Sequence, residues 1–464
     1  MSQGFEKWIK LLAPAFFSFP YILYQCINRE YCYCEEMAEK QFALEDLIRN
    51  ACQCFKKQFN DIPTHAASAP GRVNIIGEHT DYNNGFVFPM ALPLITVVVG
   101  KLNNSNNINI YSMTEDLHEP SNVTFKVPKD NYKLTPGSPK WANYCKGVVA
   151  NFKGNVPGFN AVVISTVPVG GGVSSSASLE VATYTFLEAL TGVVANQTEK
   201  ALACQKAEHE FANMPCGIMD QYASVFCKEN SILLLDCGMT EQCHSGDAKK
   251  CNSDPDITAP SLCTTRSQEM KHVDYTDPNI VFLVTNSNVK HKLSGSEYPT
   301  RRKQCQDAAH EMKVETLRDA DISLLEEHKS SMDPTVYRRA RHVITEISRT
   351  LEAVEALKEK KYRAFGYLML QSHISLSYDF EVSCKELDDL VNIAMKTNGV
   401  YGSRMTGGGF GGCTVTLLET CAVDEVIKNI RQDYKGNPRF YIAKPSGGAA
   451  DQTMCLKEIV RRML

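Results

Sequence analysis

A glycine- and serine-rich stretch, Pro168 to Ser178, lies between two apolar segments of different pattern. Residues 161–167 are β-branched and predict a strand, whereas residues 179–190 predict a helix. The chain must therefore turn at the glycines, whose backbone N–H groups can approach an anion closely. A helix N-terminus also favours negative charge. We expect a polyphosphate to bind here.

This stretch is not a Walker A loop, because no Gly-Lys-Ser/Thr follows the glycines. Ser174, Ser175 and Ser176 fall at the predicted helix start, where their hydroxyls would add donors or ligate Mg²⁺. The simpler alternative is a helix capped by a serine after a flexible loop.

The length of 464 residues predicts two or three domains. A net charge of -4 without a basic stripe argues against a nucleic-acid partner. The 18 cysteines are scattered, and several, such as Cys204, Cys305 and Cys384, lie in apolar or helical runs. That usage is typical of reduced thiols, so we expect a cytoplasmic protein.

The N-terminal residues 1–37 contain an apolar run over residues 11–26 that superficially resembles a signal peptide. Pro14 and Pro20 interrupt the run, which is also shorter than the roughly 20 residues of a membrane span. We interpret residues 1–37 as an extension outside the catalytic body and expect no stable membrane association.

A second informative block covers residues 69–83, in which Arg72, Glu78, His79 and Asp81 occur close to two glycines. Carboxylates accept hydrogen bonds from sugar hydroxyls, a histidine donates or accepts, and an arginine supplies a fixed charge. These residue types suggest a polyol site. The alternative is a polar hairpin with a solvated charge cluster.

Three single residues each leave two interpretations open. Trp141 would stack on adenine or anchor the core. Glu208 would reach a metal or remain a solvated surface residue. Asp220, which follows Gly217 among apolar residues, would be an acid–base group or a helix N-cap.

Periodicity assigns the remaining elements only coarsely. It predicts helices over residues 38–59, 141–149, 199–213, 338–360, 364–377 and 387–396, with a polar loop at 286–302 that opens another helix. It predicts strands over residues 92–99, 108–111, 123–127, 231–236, 280–285 and an alternating strand at 414–418. Residues 239–277 are polar and turn-rich and are interpreted as a loop insertion.

Three motifs in this order, residues 69–83, Pro168 to Ser178 and the glycine run 406–412, resemble those of the GHMP small-molecule kinases. Residues 70–82 resemble the galactokinase signature, and the similarity covers nearly all of residues 40–464. The resemblance implies an α+β, two-domain fold. An N-terminal domain (38–228) similar to ribosomal protein S5 domain 2 and a ferredoxin-like βαβ domain (229–464), with an insertion near 240–272, would enclose the active site in a cleft.

The resemblance also implies a reaction, in which ATP and α-D-galactose give galactose 1-phosphate and ADP, the first committed step of galactose breakdown. The implied sugar-site residues are Arg72, Glu78, His79, Asp81, Gly217, Asp220 and Tyr298. The expected nucleotide contacts are Trp141, Gly170, Gly171, Gly172, Ser174, Ser175 and Ser176. Ser176 and Glu208 match the Mg²⁺ positions.

As the expected mechanism, Asp220 accepts the proton of the anomeric hydroxyl, while Arg72 keeps Asp220 ionised and bears transition-state charge. Asp220 as a purely electrostatic group remains an alternative. Two other functions are open: an N-acetylgalactosamine kinase and a sensor that binds galactose and ATP without turnover. The complete serine run and Asp220 argue against the sensor. We expect a monomer or homodimer.

Overall fold

The computed structural model describes residues 38–39, 41–114, 119–129, 131–238, 269–289 and 297–463. The strands are, in chain order, β1 (His65–Asn74), β2 (Phe86–Val87), β3 (Pro89–Leu102), β4 (Asn107–Ser112), β5 (Asn122–Lys126), β6 (Phe159–Ser165), β7 (Ser231–Asp236), β8 (Met270–Asp274), β9 (Ile280–Asn286), β10 (Val400–Thr406), β11 (Cys413–Glu419), β12 (Arg439–Ala443) and β13 (Ala450–Asp451).

The helices are α1 (Leu44–Phe59), α2 (Ala142–Asn151), α3 (Ser175–Thr191), α4 (Gln197–Ala212), α5 (Met219–Phe226), α6 (Glu297–Met312), α7 (Ile322–Glu327), α8 (Pro334–Lys358), α9 (Tyr362–Tyr378), α10 (Lys385–Met395), α11 (Val423–Asp433) and α12 (Thr453–Met463). Short 3₁₀ turns lie at Asp81–Asn83, Leu317–Asp319 and Thr420–Ala422.

The first sheet has six strands in the order β13-β1-β3-β6-β4-β5, with β4 and β6 parallel and the other pairs antiparallel. Both faces of this sheet are covered. On β3, Val97 and Val99 pack in a core with α1 and α12, whereas Val98 between them packs with α2 to α5. Burial on both faces explains why most residues of β3 are apolar.

The second sheet has four antiparallel strands in the order β10-β11-β9-β12. Numbered from β9, this order is 2-3-1-4, with helices between the first and second and between the third and fourth strands. This is the ferredoxin-like arrangement, and the implied α+β GHMP fold is confirmed.

The predicted strand at 414–418 exists as β11, but its expected alternation is wrong. β11 is buried on both faces, because Cys413 and Val415 pack toward the N-terminal half and Leu418 packs on α11. The hydroxyl of Thr416, a polar residue in this strand, hydrogen-bonds Ser403 Oγ at 2.8 Å inside the sheet.

The third sheet has the order β2-β7-β8 and corrects another prediction. Residues 270–274 were expected in a loop, yet they form β8, antiparallel to β7. In this polar strand Val273 is the buried residue, and the pairing partner β7 supplies the apolar side chains. Residues 239–268 of the predicted loop and the predicted extension 1–37 lie outside the described residues, whereas residues 275–277 contain no helix or strand, as predicted.

The N- and C-terminal halves share one core, in which Phe88 and Met90 pack with Phe282, Ala353 and Val415. The end of the chain also returns to the first sheet, since β13 pairs with β1 and α12 packs on α1. The division between residues 228 and 229 stays a prediction.

The other predicted helices and strands are confirmed, with ends that shift by a few residues. The largest shift is at the first helix, which begins at Leu44 rather than residue 38. Shifts of four residues occur at α3, which begins at Ser175 rather than residue 179, and at α8, which begins at Pro334 rather than residue 338. Among the described residues, no helix is long and apolar enough to span a membrane.

Candidate active site

A cavity of about 420 Å³ lies between the two halves. It is lined by nearly all predicted site residues: Arg72, Glu78, His79, Asp81, Trp141, Gly170, Gly172, Ser174, Ser175, Ser176, Glu208, Gly217, Asp220 and Tyr298. Gly171 is the predicted residue that the structure places elsewhere, since it is buried behind the cavity wall.

Residues 168–176, here termed the glycine-serine turn, connect β6 to α3. Gly170, Gly172 and Ser174 have positive φ angles of 72°, 71° and 61°. Ser174 occupies the N-cap position of α3 but makes no side-chain cap; its hydroxyl donates to Asp220 Oδ2 at 2.5 Å. The serine-cap alternative is therefore wrong, and the N–H groups of the first turn remain available to an anion.

The second glycine run, residues 407–412, packs directly on this turn. A Cβ on Gly407 would lie 2.6 Å from the carbonyl oxygen of Gly172, and one on Gly412 would lie 2.9 Å from that of Gly171. Glycine is required at these positions because backbone contacts backbone. Gly407 and Gly408 also line the cavity. The run therefore contacts the backbone of the glycine-serine turn and forms part of the cavity wall.

Asp220 and Arg72 form the ion pair at the centre of the cavity. Arg72 Nε and Nη2 contact Asp220 Oδ1 at 2.7 and 2.6 Å, and Nη1 donates to the carbonyl of Gly172 at 2.8 Å. Arg72 follows a bulge in β1 that brings the strand against Val173. Asp220 lies in the first turn of α5, whose N-cap is Ile218, so the N-cap interpretation of Asp220 is wrong.

Residues 74–83, here termed the acidic loop, begin at the last residue of β1. In this loop Asp81 lies beside Gly217. A Cβ on Gly217 would lie 1.8 Å from Asp81 Oδ2, so a glycine is needed for the carboxylate to lie there. Burial, with the nearby charge of Asp220, raises the pKa of Asp81 to about 6.

Glu78 and His79 are both buried in this loop. Glu78 pairs with Arg404 Nη2 at 2.5 Å and accepts from Thr406 and from the backbone N–H of Gly407. Burial raises the pKa of Glu78, and it lowers that of His79 to about 3, so His79 is neutral. The His79 ring lies 5.6 Å from that of Tyr298, measured between centroids.

Glu208 on α4 contacts Ser176 and lies close to Asp220. Burial, followed by the charge of Asp220, raises the pKa of Glu208 to about 7, although the hydroxyl of Ser176 hydrogen-bonds it. Gln221 Nε2 donates to Glu208 Oε2 at 2.8 Å and to Glu180 Oε2 at 3.1 Å. The solvated-surface alternative for Glu208 is wrong, because the residue is buried.

These two residues fit a magnesium ion. A hydroxyl and a carboxylate are hard oxygen ligands, and the buried Glu208 charge is stabilised by a cation. In the described part of the chain, no group of three or more His, Cys, Asp or Glu side chains is placed to hold a metal ion.

Trp141 also lines the cavity. Trp141 is 7% exposed, packs in the first core and donates its Nε1–H to the carbonyl of Pro120 at 2.9 Å. Its buried indole therefore anchors the core and also lines the cavity. The cavity is also lined by residues for which the sequence predicted no role in the site, among them Thr96, Ser112, Thr114, Tyr144, Val163, Ser165 and Leu179.

Comparison with protein families gives three matches in chain order. The galactokinase galactose-binding signature matches residues 53–102, the GHMP kinase N-terminal domain matches 143–228, and the GHMP kinase C-terminal domain matches 353–436. Galactokinase from Homo sapiens is 46% identical over 420 residues, which covers 90% of this chain and 100% of that protein. The chain belongs to the galactokinase family.

Members of this family from distant organisms are also similar. Galactokinase from Haemophilus influenzae is 37% identical over 413 residues, or 86% of this chain and 98% of that protein. The crystal structure of Lactococcus lactis galactokinase complexed with galactose matches with a TM-score of 0.73 and 28% identity, covering 86% of this chain and 98% of that one. Methanococcus jannaschii mevalonate kinase, at a TM-score of 0.55 and 18% identity, shares the fold. As a galactokinase-family member with both GHMP domains, the chain is a phosphotransferase.

Proposed function

We propose that this chain transfers the γ-phosphoryl group of ATP to the anomeric hydroxyl of α-D-galactose, with galactose 1-phosphate and ADP as products. The observation that carries the proposal is the position of Asp220. Its carboxylate contacts Arg72, next to the acidic loop, and Ser174, in the glycine-serine turn. A sugar held by the acidic loop and a phosphate held by the turn would therefore meet at Asp220.

Asp220 Oδ2 is the atom that receives the hydroxyl proton. Oδ1 already accepts from two nitrogen atoms of Arg72, whereas Oδ2, among the residues that the structure describes, accepts only from the Ser174 hydroxyl. A carboxylate oxygen has two lone-pair directions, so Oδ2 keeps one for the substrate. The guanidinium of Arg72 stabilises the negative charge that develops as the oxygen attacks the γ-phosphorus.

The nucleotide is held mainly by the backbone. The first-turn N–H groups of α3, with Gly170 and Gly172, bind the phosphates, and Trp141 and Tyr144 enclose the base. Ser176 and Glu208 would hold Mg²⁺, which would neutralise part of the negative charge of the phosphates.

The acidic loop supplies sugar recognition. Asp81 and Glu78 offer hydrogen-bond acceptors to the sugar hydroxyls, and neutral His79 offers one donor or one acceptor. Tyr298 lines the same cavity. Gly217 permits the position of Asp81.

The cell compartment and assembly belong to the same proposal. Cys145, Cys204 and Cys305 are buried in the cores, which suits a protein that keeps its thiols reduced, so we propose a cytoplasmic enzyme. We further propose that it works as a monomer or homodimer with no macromolecular substrate.

A coupled assay of ADP release tests the substrate. Purified protein with Mg²⁺ and ATP receives galactose, N-acetylgalactosamine or no sugar. We expect ADP release above the sugar-free rate with galactose, and a kcat/KM for N-acetylgalactosamine lower by about tenfold or more, the range given by one bulky substituent in a shaped pocket. A preference for N-acetylgalactosamine would reassign the substrate, and no turnover with either sugar would favour the sensor.

A further inference from the structure

The backbone of the acidic loop is held by residues from the C-terminal half of the chain. Glu346 on α8 accepts a hydrogen bond from the N–H of Gly77, at 3.0 Å between N and Oε1. One turn earlier on the same helix, His342 Nε2 lies 3.1 Å from the carbonyl oxygen of Glu78. Burial lowers the pKa of His342 to about 4, so the neutral ring donates through Nε2 and accepts from Ser375 through Nδ1.

Arg404 on β10 contacts the same loop from the opposite direction. Its Nη1 donates to the carbonyls of Asn74 and Ile75 at 3.3 and 3.2 Å. Its Nη2 lies 2.5 Å from Glu78 Oε2 and 3.8 Å from Glu346 Oε1. The guanidinium thus contacts both carboxylates and two backbone carbonyls of the loop.

These charges are removed from water, since Glu346 and Arg404 are each 0% exposed and Glu78 is 1% exposed. Burial opposes ionisation of Glu346, but the positive charges of Arg349 and Arg404, together with the hydrogen bond from Ser372, outweigh it and lower the pKa of Glu346 to about 2. A buried charge of this kind depends strictly on its partners, because removal of one leaves the others uncompensated.

The loop has backbone conformations that need such support. Gly77 has φ = 103° and His79, a residue with a side chain, has φ = 64°. A non-glycine residue in the left-handed region persists only where its surroundings fix it. Glu346 accepts from the N–H of Gly77 itself, and His342 contacts the carbonyl of the peptide group that joins Glu78 to His79.

We infer that Glu346 is a positioning residue for the sugar pocket, which fixes Gly77, and through it Glu78 and His79, in the geometry that binds a hexose. The inference rests on the proposed function, because it assigns the sugar to the acidic loop. Glu346 itself lies behind the loop and does not line the cavity described above. Its effect is therefore specific to the sugar and does not extend to the nucleotide, which is held by the glycine-serine turn.

The test compares Glu346→Gln and Glu346→Leu with Glu352→Gln and Glu352→Leu as matched controls, since Glu352 is exposed on the same helix. KM is measured for galactose and for ATP, and galactose binding without nucleotide is measured by equilibrium dialysis. We expect Glu346→Leu to raise the galactose KM and dialysis constant by about tenfold or more, as loss of positioning does. Glu346→Gln keeps an acceptor for Gly77 and should raise both by a smaller factor, while the ATP KM stays within about twofold.

Two results would overturn the inference. One is a folded Glu346→Leu protein whose galactose KM and dialysis constant remain within about twofold of the unsubstituted protein. The other is an equal rise of the galactose and ATP KM values, which indicates general damage. If Glu346→Leu does not fold, Glu346→Gln decides between the same outcomes. Failure of the unsubstituted enzyme to use galactose would instead contradict the proposed function.

Discussion

The glycine-serine turn and the acidic loop lie on opposite sides of Asp220 and are built in different ways. The turn presents backbone: Gly170 is exposed, a Cβ added there would meet nothing within 4 Å, and the N-cap of α3 has no side-chain cap. The acidic loop presents side chains, and Glu78 and His79 are 1% and 5% exposed. Its backbone is fixed by Glu346, His342 and Arg404 from the other half.

The difference reflects what each region has to bind. A polyphosphate is a large diffuse charge, and a row of backbone N–H groups at a helix end suffices for it. A hexose is distinguished by the directions of its hydroxyls, and this requires side chains held in place by a second layer of contacts. Substitution of residues that pack against the binding region should therefore weaken ligand binding less at the glycine-serine turn than at the acidic loop.

Replacement of Asp220, where the two regions meet, should have the largest effect. Asp220→Asn keeps the size of the side chain but removes the proton acceptor and the charge opposite Arg72. We expect kcat to fall by about 10²–10⁴-fold, the usual contribution of proton transfer, while galactose binding by equilibrium dialysis remains detectable. Asp433→Asn, an exposed change on α11, is the control. A kcat for Asp220→Asn within about tenfold of the unsubstituted enzyme would contradict the role of Asp220.

On the nucleotide side, Glu208→Gln should change how stability depends on pH. The pKa of Glu208 is raised to about 7, so the folded state binds a proton that the unfolded state releases between about pH 4.5 and 7. Stability from this group is therefore present at low pH and lost as pH rises through 7. In the unsubstituted protein without ligands, ionisation of Glu208 should lower the free energy of unfolding by at most on the order of 3 kcal/mol as the pH rises. Glu208→Gln cannot ionise and should lack this pH-dependent decrease.

Urea unfolding at pH 5.5 and pH 8, with the protein free of nucleotide and metal, measures this difference. His79 and His342, whose pKa values are lowered, act in the opposite direction in both proteins and cancel in the comparison. Glu210→Gln on the same helix is the control. If Glu208→Gln and the unsubstituted protein lose equal stability between the two pH values, Glu208 is not protonated as described.

Two Gly→Ala substitutions should affect the acidic loop and the glycine-serine turn separately, with smaller changes in KM. Gly217→Ala places a methyl 1.8 Å from Asp81 Oδ2 and must displace that carboxylate, so the galactose KM should rise by about tenfold. Gly170→Ala meets open space, but its φ of 72° costs an alanine about 1 kcal/mol, so the ATP KM should rise a few-fold. Steady-state kinetics with each substrate varied in turn measures both. The comparison fails if Gly217→Ala raises the ATP KM as much as the galactose KM.

The glycine-serine turn could be predicted from the sequence because its signal is local. Glycines between a strand pattern and a helix pattern imply exposed N–H groups, and the structure has this geometry at Gly170 and Gly172. The residue types of the acidic loop were also informative, but only the resemblance to GHMP kinases distinguished a site from a charged hairpin. Gly171, expected beside the nucleotide, instead packs behind the turn against Gly412.

The support of the acidic loop could not be predicted. Glu346 is 269 residues from Gly77 in the chain, and Arg404 is 330 residues from Asn74. A glutamate inside a long helix or an arginine inside a strand carries no local sign of burial, since both are typical surface residues. The strand at residues 270–274 could not be predicted for a similar reason. Its own sequence is polar, and most buried apolar side chains of the β7–β8 pair belong to β7.

A crystal structure with galactose and a non-hydrolysable ATP analogue tests the central claim most directly, by the distances around Asp220. The account predicts the anomeric oxygen within hydrogen-bonding distance of Asp220 Oδ2, and the γ-phosphate at the N-terminus of α3 in line with that oxygen. A sugar that presents a different hydroxyl to Asp220, or a triphosphate that runs away from the glycine-serine turn, would contradict it.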